Sequence, residues 1–203
     1  MKKLRKPIVL SITSLILIAN ITPPIVYASE IGQTINEQQA SSKSYQDVAT
    51  DEMNSRYMSK QEKENLITEV KRNHPTVSEK FIREALERQL AGDYSIPQED
   101  EIIFYSAWQG VTVEQMGALI DVGLGALLGA GVGGLAATVA KVGKHQAKTK
   151  LKKVLIKYGL LGGFITDKVL DYALNLTSPG YHIAKYWDNH DKYPGNGRIN
   201  FEW

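Results

Sequence analysis

The side chains best suited to chemistry are the histidines and the acids near them. His182 and His190 lie close in sequence to Asp188 and Asp191, and imidazole and carboxylate groups together can bind a metal ion. The two histidines stand about two helical turns apart, however, and their spacing matches no familiar zinc motif. We therefore expect a structural or exposed role for all four histidines and predict neither a metal nor a cofactor.

Other catalytic groupings are also missing from the sequence. The chain has no cysteine, which excludes thiolate zinc sites, cysteine nucleophiles and disulfide bonds. No serine lies in a nucleophile-elbow motif, and the glycines lie inside a predicted helix instead of a phosphate-binding loop. The sequence therefore predicts a protein that is not an enzyme.

Residues 1–28 have the organisation of a cleavable secretion signal. Four positive charges in residues 1–6 precede an apolar stretch over residues 8–21, and Val26-Tyr27-Ala28 fits a signal-peptidase site. An uncleaved membrane anchor is the alternative, but the apolar stretch is short and Pro23-Pro24 would end its helix. We predict export, with a signal length typical of Gram-positive bacteria.

Removal of the signal changes the charge of the protein. Residues 1–28 hold four of the 24 Lys and Arg residues and none of the 22 Asp and Glu residues, which leaves a net charge of −2. A nucleic-acid partner is therefore not expected, because it would require a basic surface. Residues 29–58 are polar, and we predict that they are disordered. They would serve as a propeptide or as a spacer.

Residues 59–110 are predicted to form charged amphipathic helices. Ser59-Lys-Gln-Glu62 has capping-box spacing, and Thr76-Val-Ser-Glu79 is predicted to start a second helix. A third helix is expected over about residues 98–109. Each has a narrow apolar stripe that must pack against another element.

A long glycine-rich helix is predicted from Thr112 to about Val142. Its centre, residues 122–140, is 19 residues long and uncharged, with six Gly and five Ala. Gly125, Gly129 and Gly133 recur every four residues and would line a groove, a pattern that permits close helix contact inside membranes. Large aliphatic side chains, including Leu124, Leu128 and Leu135, are expected beside this groove.

This segment has two interpretations. Nineteen residues span about 28 Å as a helix, close to the thickness of the hydrocarbon core of a bilayer. The alternative is a buried central helix of a bundle, whose neighbours approach on all sides. We predict membrane insertion by the six residues just named, and association of copies on insertion is compatible with the glycine pattern.

A lysine run follows the glycine-rich helix and is predicted to contact anionic lipid headgroups, together with Trp187 and Trp203. Its members are Lys141, Lys144, Lys148, Lys150, Lys152 and Lys153. A solvated turn and a stop-transfer flank are the other interpretations of this run. A second helix over residues 147–176 would complete a helical hairpin within residues 111–177.

Residues 178–203 are predicted to form a short helix and an extended aromatic tail, which either packs onto the bundle or meets a membrane or partner. The fold class is therefore all-α. It is a small helical bundle around a Gly/Ala-rich central helical hairpin, with a disordered N-terminal segment and a short aromatic C-terminal tail.

The order of these segments, together with the ending His190-Asp-Lys-Tyr-Pro-Gly-Asn-Gly197, resembles the large, unmodified, cysteine-free bacteriocins of Gram-positive bacteria of the streptococcin A type. The resemblance implies killing of related bacteria through their membranes, and it transfers no catalytic residues. The expected partner is the target cell membrane, while any receptor or immunity protein is unknown. A membrane-anchored surface protein and a secreted, non-enzymatic binding module are the alternatives.

Overall fold

The computed structural model describes residues 58–98, 110–130 and 133–201. These ranges contain seven helices and two short strands: α1 Lys60–Asn73, α2 Glu79–Leu90, β1 Val111–Thr112, α3 Val113–Leu128, α4 Gly134–Val142, α5 Lys144–Lys157, α6 Asp167–Ala173, α7 Pro179–Asp188 and β2 Arg198–Ile199. The all-α class is confirmed. The predicted signal, nearly all of the segment 29–58 and the helix predicted over 98–109 lie outside the described residues.

Side-chain caps start the first three helices. Ser59 and Glu62 form the predicted capping box at α1, and Thr112 and Gln115 form one at α3. The start of α2 differs from the prediction, because Ser78 is its cap and its hydroxyl accepts a hydrogen bond from the Phe81 amide at 3.1 Å. The helix starts at Glu79 since this hydroxyl satisfies an amide that has no partner within the helix.

α3 lies among the other helices and packs against α1, α2, α5 and α7. All residues from 116 to 126 are buried. A helix that is apolar on every side is stable in water only when neighbours cover it all round. In the folded protein α3 is therefore the central core helix, which matches the core interpretation for residues 122–128 of the glycine-rich segment.

The C-terminal tail packs onto the start of α3. β1 and β2 pair antiparallel, with Val111 opposite Ile199 and Thr112 opposite Arg198. Two buried aspartates hold the tail, because Asp188 accepts a hydrogen bond from the Gly197 amide and Asp191 accepts one from the Asn200 amide, both at 2.9 Å. The described part of the tail, up to residue 201, therefore packs onto the bundle.

The predicted continuous helix from Thr112 to Val142 is wrong. α3 ends at Leu128, where Gly129 takes a left-handed conformation with φ of 68°, and α4 begins only after Gly133, whose φ is 108°. Residues with side chains rarely adopt such angles, so these glycines end and start helices instead of lining one. The predicted second arm over 147–176 is likewise divided, into α5 and α6.

None of the helices in the described ranges combines the length and apolar character needed to cross a membrane. α3 has 16 residues, about 24 Å at 1.5 Å per residue.

Candidate functional site: a buried ionic cluster on the central helix

Asp121 is a charged residue in the middle of the apolar helix α3, and it is almost fully buried. Its carboxylate accepts hydrogen bonds from the Ser178 hydroxyl at 2.5 Å and the Gly180 amide at 2.7 Å, both at the start of α7. The His74 Nε2 atom, at the end of α1, lies 3.0 Å from the same carboxylate. Asp121 therefore joins three helices at one point.

His74 lies between two carboxylates. His74 directly follows the last residue of α1, and Pro75 after His74 prevents the helix from continuing. The ring is fully buried, with Nε2 near Asp121 and Nδ1 3.1 Å from Glu114 Oε2. A protonated ring can donate from both nitrogens and so satisfies both acids at once.

The pKa of His74 follows from this position. Burial of the ring has the largest single effect and lowers the pKa, while the hydrogen bonds and charges of Asp121 and Glu114 raise it. The carboxylates together outweigh burial, so the pKa of His74 lies above its ordinary value of 6.5. The cluster consequently favours the imidazolium form.

The cluster contains serine, histidine and aspartate but does not have the geometry of a nucleophilic triad. In such a triad the aspartate and the serine bind opposite nitrogens of the ring. Here Ser178 Oγ lies 3.1 Å from His74 Nε2, the atom that also faces Asp121, and Glu114 occupies the other nitrogen. Ser178 is only 8 % exposed and is bonded to the carboxylate, so this arrangement holds helices together and does not activate the hydroxyl.

Two glycines allow α3 and α7 to meet at this cluster. A Cβ atom at Gly180 would collide with the Gly117 carbonyl oxygen and lie 2.9 Å from the Asp121 amide nitrogen. A Cβ atom at Gly117 would lie 2.9 Å from the Tyr181 Cα atom. Glycine at both positions therefore permits the backbone contact through which Gly180 reaches Asp121.

The residues predicted to insert into membranes are divided between the core and the turns. Gly125, Leu124 and Leu135 are buried, and a side chain at Gly125 would overlap Leu66 of α1. Leu128 is half-buried at the end of α3. The predicted groove of three glycines is wrong for the folded protein, because the chain turns at Gly129 and Gly133 and only Gly125 remains inside a helix.

Glu69 supplies a cap that the glycine-rich turn cannot provide. Both carboxylate oxygens of Glu69 accept hydrogen bonds from the Leu135 amide nitrogen, at 2.7 and 2.8 Å, at the start of α4. Burial raises the pKa of Glu69, and the hydrogen bond from Leu135 partly opposes that shift. Glu69 is therefore an acid of an amphipathic helix that is buried, against a helix start that favours negative charge.

The lysines predicted to contact lipid have several different environments. Lys141 and Lys144 are exposed, and Lys150 is half-buried. Lys148 lies 2.9 Å from Asp171, Lys152 lies 2.6 Å from Asp167, and Lys153 is buried. Lys148, Lys152 and Lys153 are thus engaged within the fold.

The two predicted tryptophan contacts are not on the described surface. Trp187 is 1 % exposed, and its Nε1 donates to the Asn200 carbonyl oxygen at 3.1 Å. Trp187 therefore cannot meet headgroups while the protein stays folded. Trp203 lies outside the described residues.

The histidine and aspartate residues near the C-terminus face different ways. His190 is exposed and His182 is half-buried, whereas Asp188 and Asp191 are buried and accept hydrogen bonds from backbone amides. Within the described ranges no group of three or more His, Asp or Glu side chains is placed to hold a metal ion.

The ionic cluster was missed at the level of sequence, although one signal pointed to it. Asp121 is the one acid beyond the first turn of α3, which is otherwise apolar there, and a buried charge requires a partner. His74 and Ser178 lie 47 and 57 residues away from it, too far for spacing to reveal. Comparison of the chain with protein-family models, curated proteins and solved structures finds no match. Inference about function therefore rests on the residues of this chain.

Proposed function

We propose that this protein is a secreted antibacterial protein of the bacteriocin type, which kills related bacteria by acting on their membranes. The observation that supports the proposal most is the enclosure of the apolar, glycine-rich helix α3 by helices with charged outer faces. Such a protein can travel through water with its membrane-active segment covered. The segment becomes active when the covering helices move away.

The covering helices are held by two kinds of contact. On the outside, Arg83 of α2 binds Glu64 of α1 through two hydrogen bonds, at 2.6 and 2.9 Å. Inside, the cluster of Asp121 and His74 joins α3 to the end of α1. Breaking a buried charge pair is costly, so α3 stays covered until another environment compensates for that loss.

Membrane entry requires more than α3 alone. At about 24 Å its helix is shorter than the hydrocarbon core of a bilayer, which is about 30 Å thick. α4 follows directly and is also apolar apart from Lys141. We propose that α3 and α4 enter together, with the turn at Gly129 and Gly133 straightening or forming the tip of a short hairpin.

A secreted, non-enzymatic binding module is the second candidate, favoured by how the glycines are used. Gly117, Gly123 and Gly125 each accommodate a neighbouring side chain or backbone atom, as expected of a helix that serves only as core. This candidate predicts a secreted protein without effect on membranes.

The test is fractionation of a culture that expresses the full chain, followed by assays of the purified protein from the medium. Dye-loaded phosphatidylglycerol vesicles, phosphatidylcholine vesicles as a control, and living related bacteria would be exposed to it. Release of dye from the anionic vesicles together with killing supports the proposal. Protein in the medium that does neither supports the binding module, and protein retained in the membrane fraction and protected from added protease at its C-terminal part supports a membrane-anchored surface protein.

A further inference from the structure

The outer side of α7 carries aromatic and imidazole rings. His182 and Tyr186 lie four residues apart on α7, and His190 follows four residues later in the turn after the helix; none of the three is buried, whereas Ile183 and Trp187 are core residues. The rings of Tyr186 and His190 stack, with centroids 4.1 Å apart and an interplanar angle of 21°. Residues four apart share one helix face, so His182 and Tyr186 lie on the same side of α7, and the stack with His190 extends that side beyond the end of the helix.

Rings from two other segments extend this side. Phe164 lies beside His190 at 5.4 Å and beside Tyr186 at 6.3 Å between centroids. Tyr172 of α6 meets the His182 ring edge-on at 6.5 Å and is 65 % exposed, the highest value among the large hydrophobic side chains in the described ranges. An aromatic ring this exposed gains little from packing within the fold, whereas Tyr rings are enriched at membrane interfaces.

The acids around these rings are paired with lysines. Asp188 is buried and binds Lys185 at 2.8 Å, while Asp167 and Asp171 bind lysines of α5. Lys168, by contrast, is exposed and lies one turn before Tyr172 on α6. Although Asp167 and Asp171 are partly exposed, each is paired with a lysine of α5, so Lys168 adds a positive charge to this side that complements an anionic surface.

We propose that the folded protein docks on anionic lipid through this face, defined here as the α6–α7 aromatic face: Phe164, Lys168, Tyr172, His182, Tyr186 and His190. The proposal rests on the proposed function, and it names the surface that meets the membrane before α3 is uncovered. Docking through this face requires no unfolding, since its rings are already at the surface. It therefore precedes insertion and is separable from it.

The experiment measures co-sedimentation of the full-length secreted protein with phosphatidylglycerol vesicles and with phosphatidylcholine vesicles. The test variant carries Tyr172→Ser and Lys168→Gln. The control variant carries Lys60→Gln and Gln61→Ser, a matched lysine loss at exposed positions of α1, which does not pack against α6 or α7. All four positions are exposed, so thermal unfolding of each variant should match that of the wild type.

We expect the test variant to bind anionic vesicles at least tenfold more weakly, of which about fivefold comes from the loss of one lysine near anionic lipid. The control variant should bind as the wild type does. Equal binding by test variant and wild type would overturn the proposal, as would equal losses in both variants or no binding of the wild type to anionic vesicles.

Failure of docking and failure of the proposed function give different results. A wild-type protein that binds through this face but neither releases dye nor kills bacteria supports docking and contradicts the antibacterial function. A test variant that still binds, releases dye and kills as the wild type does contradicts docking and leaves the function standing.

Discussion

The glycines of this protein serve two different purposes in two neighbouring regions. At the crossing of α3 and α7, Gly117 and Gly180 lie inside helices where the two backbones touch. Between α3 and α4, Gly129 and Gly133 have positive φ and change the direction of the chain. Regular spacing of glycine in an apolar sequence therefore does not distinguish a contact surface from a turn.

The charges show a parallel contrast. Asp121 is enclosed where helices cross and makes several hydrogen bonds at once. Lys148 and Lys152 bind the aspartates of α6 at the protein surface. Buried charge pairs are costly to break, whereas exposed pairs are screened by water and salt. The crossing of α3 and α7 should consequently dominate the stability of the fold.

The largest effect is expected for Asp121→Ala. This change leaves His74 without its buried partner and should lower the free energy of unfolding by about 3–5 kcal/mol, measured by urea denaturation. The control is Asp167→Ala, which removes an aspartate that is mostly exposed, with an expected loss of about 0–1 kcal/mol. Equal losses would contradict the contrast between the crossing and the surface.

The two kinds of glycine should respond differently to substitution. Gly180→Ala forces the backbones of α3 and α7 apart and should cost about 1–3 kcal/mol. Gly129→Ala should cost about 1 kcal/mol because its left-handed conformation is strained for alanine, and Gly129→Asn should recover part of that cost, since Asn tolerates this conformation. Thermal unfolding of the three variants measures the differences. Asn no better than Ala at position 129 would argue against the turn.

The pH dependence of stability tests the environment of His74. Because the pKa is raised in the folded protein, the histidine contributes stability that is fully present below about pH 6.5 and is lost as the pH rises through the folded pKa. In denaturant titrations from about pH 6 to 9, the advantage of the wild type over His74→Gln should shrink, by at most about 1.4 kcal/mol per pH unit for one proton. A constant or growing advantage would exclude the imidazolium between Asp121 and Glu114.

The smallest effect is expected in the lysine run. Lys152→Gln removes a surface ion pair with Asp167 and should change the free energy of unfolding by about 0–1 kcal/mol, less with added salt. Lys153→Gln, on the same helix, should cost more because that side chain is buried. Urea denaturation at low and high salt compares the two. A larger loss for Lys152→Gln would contradict the assignment of Lys152 to the surface.

Local features of this fold were predictable and distant ones were not. The capping boxes at Ser59 and Thr112 depend on residues three apart, so a sequence pattern can identify them. The end of α3 at Gly129 depends on φ, which the mere presence of glycine does not determine. The partners of Asp121 come from α1 and α7, and only the folded chain brings them together.

The predicted membrane contacts also depend on partners that are distant in sequence. The lysine run contains no acid, so its sequence predicts lipid contacts for Lys148 and Lys152, but in the fold both bind acids of α6. The sequence does not predict Tyr172 and His182 as membrane contacts, because they lie on different helices and meet only across the α6–α7 contact.

α3 is enclosed in the folded protein, and we propose that it must leave its neighbours to act on a membrane. The chain has no cysteine, and Thr112 faces Arg198 across the two-stranded sheet. The neighbouring residues Val113 and Gly197 are joined by a backbone hydrogen bond from the Val113 amide to the Gly197 carbonyl. Thr112 and Arg198 are therefore a non-hydrogen-bonded pair, whose Cα atoms lie closer together than those of a hydrogen-bonded pair and suit a disulfide.

The measurement is dye release from phosphatidylglycerol vesicles by the Thr112→Cys/Arg198→Cys variant, before and after reduction. The disulfide would fix the start of α3 to the tail that Asp188 and Asp191 hold against the end of α7. We predict that the oxidised protein binds the vesicles but does not release dye, and that reduction restores release. Equal release by the oxidised and reduced forms would contradict the account.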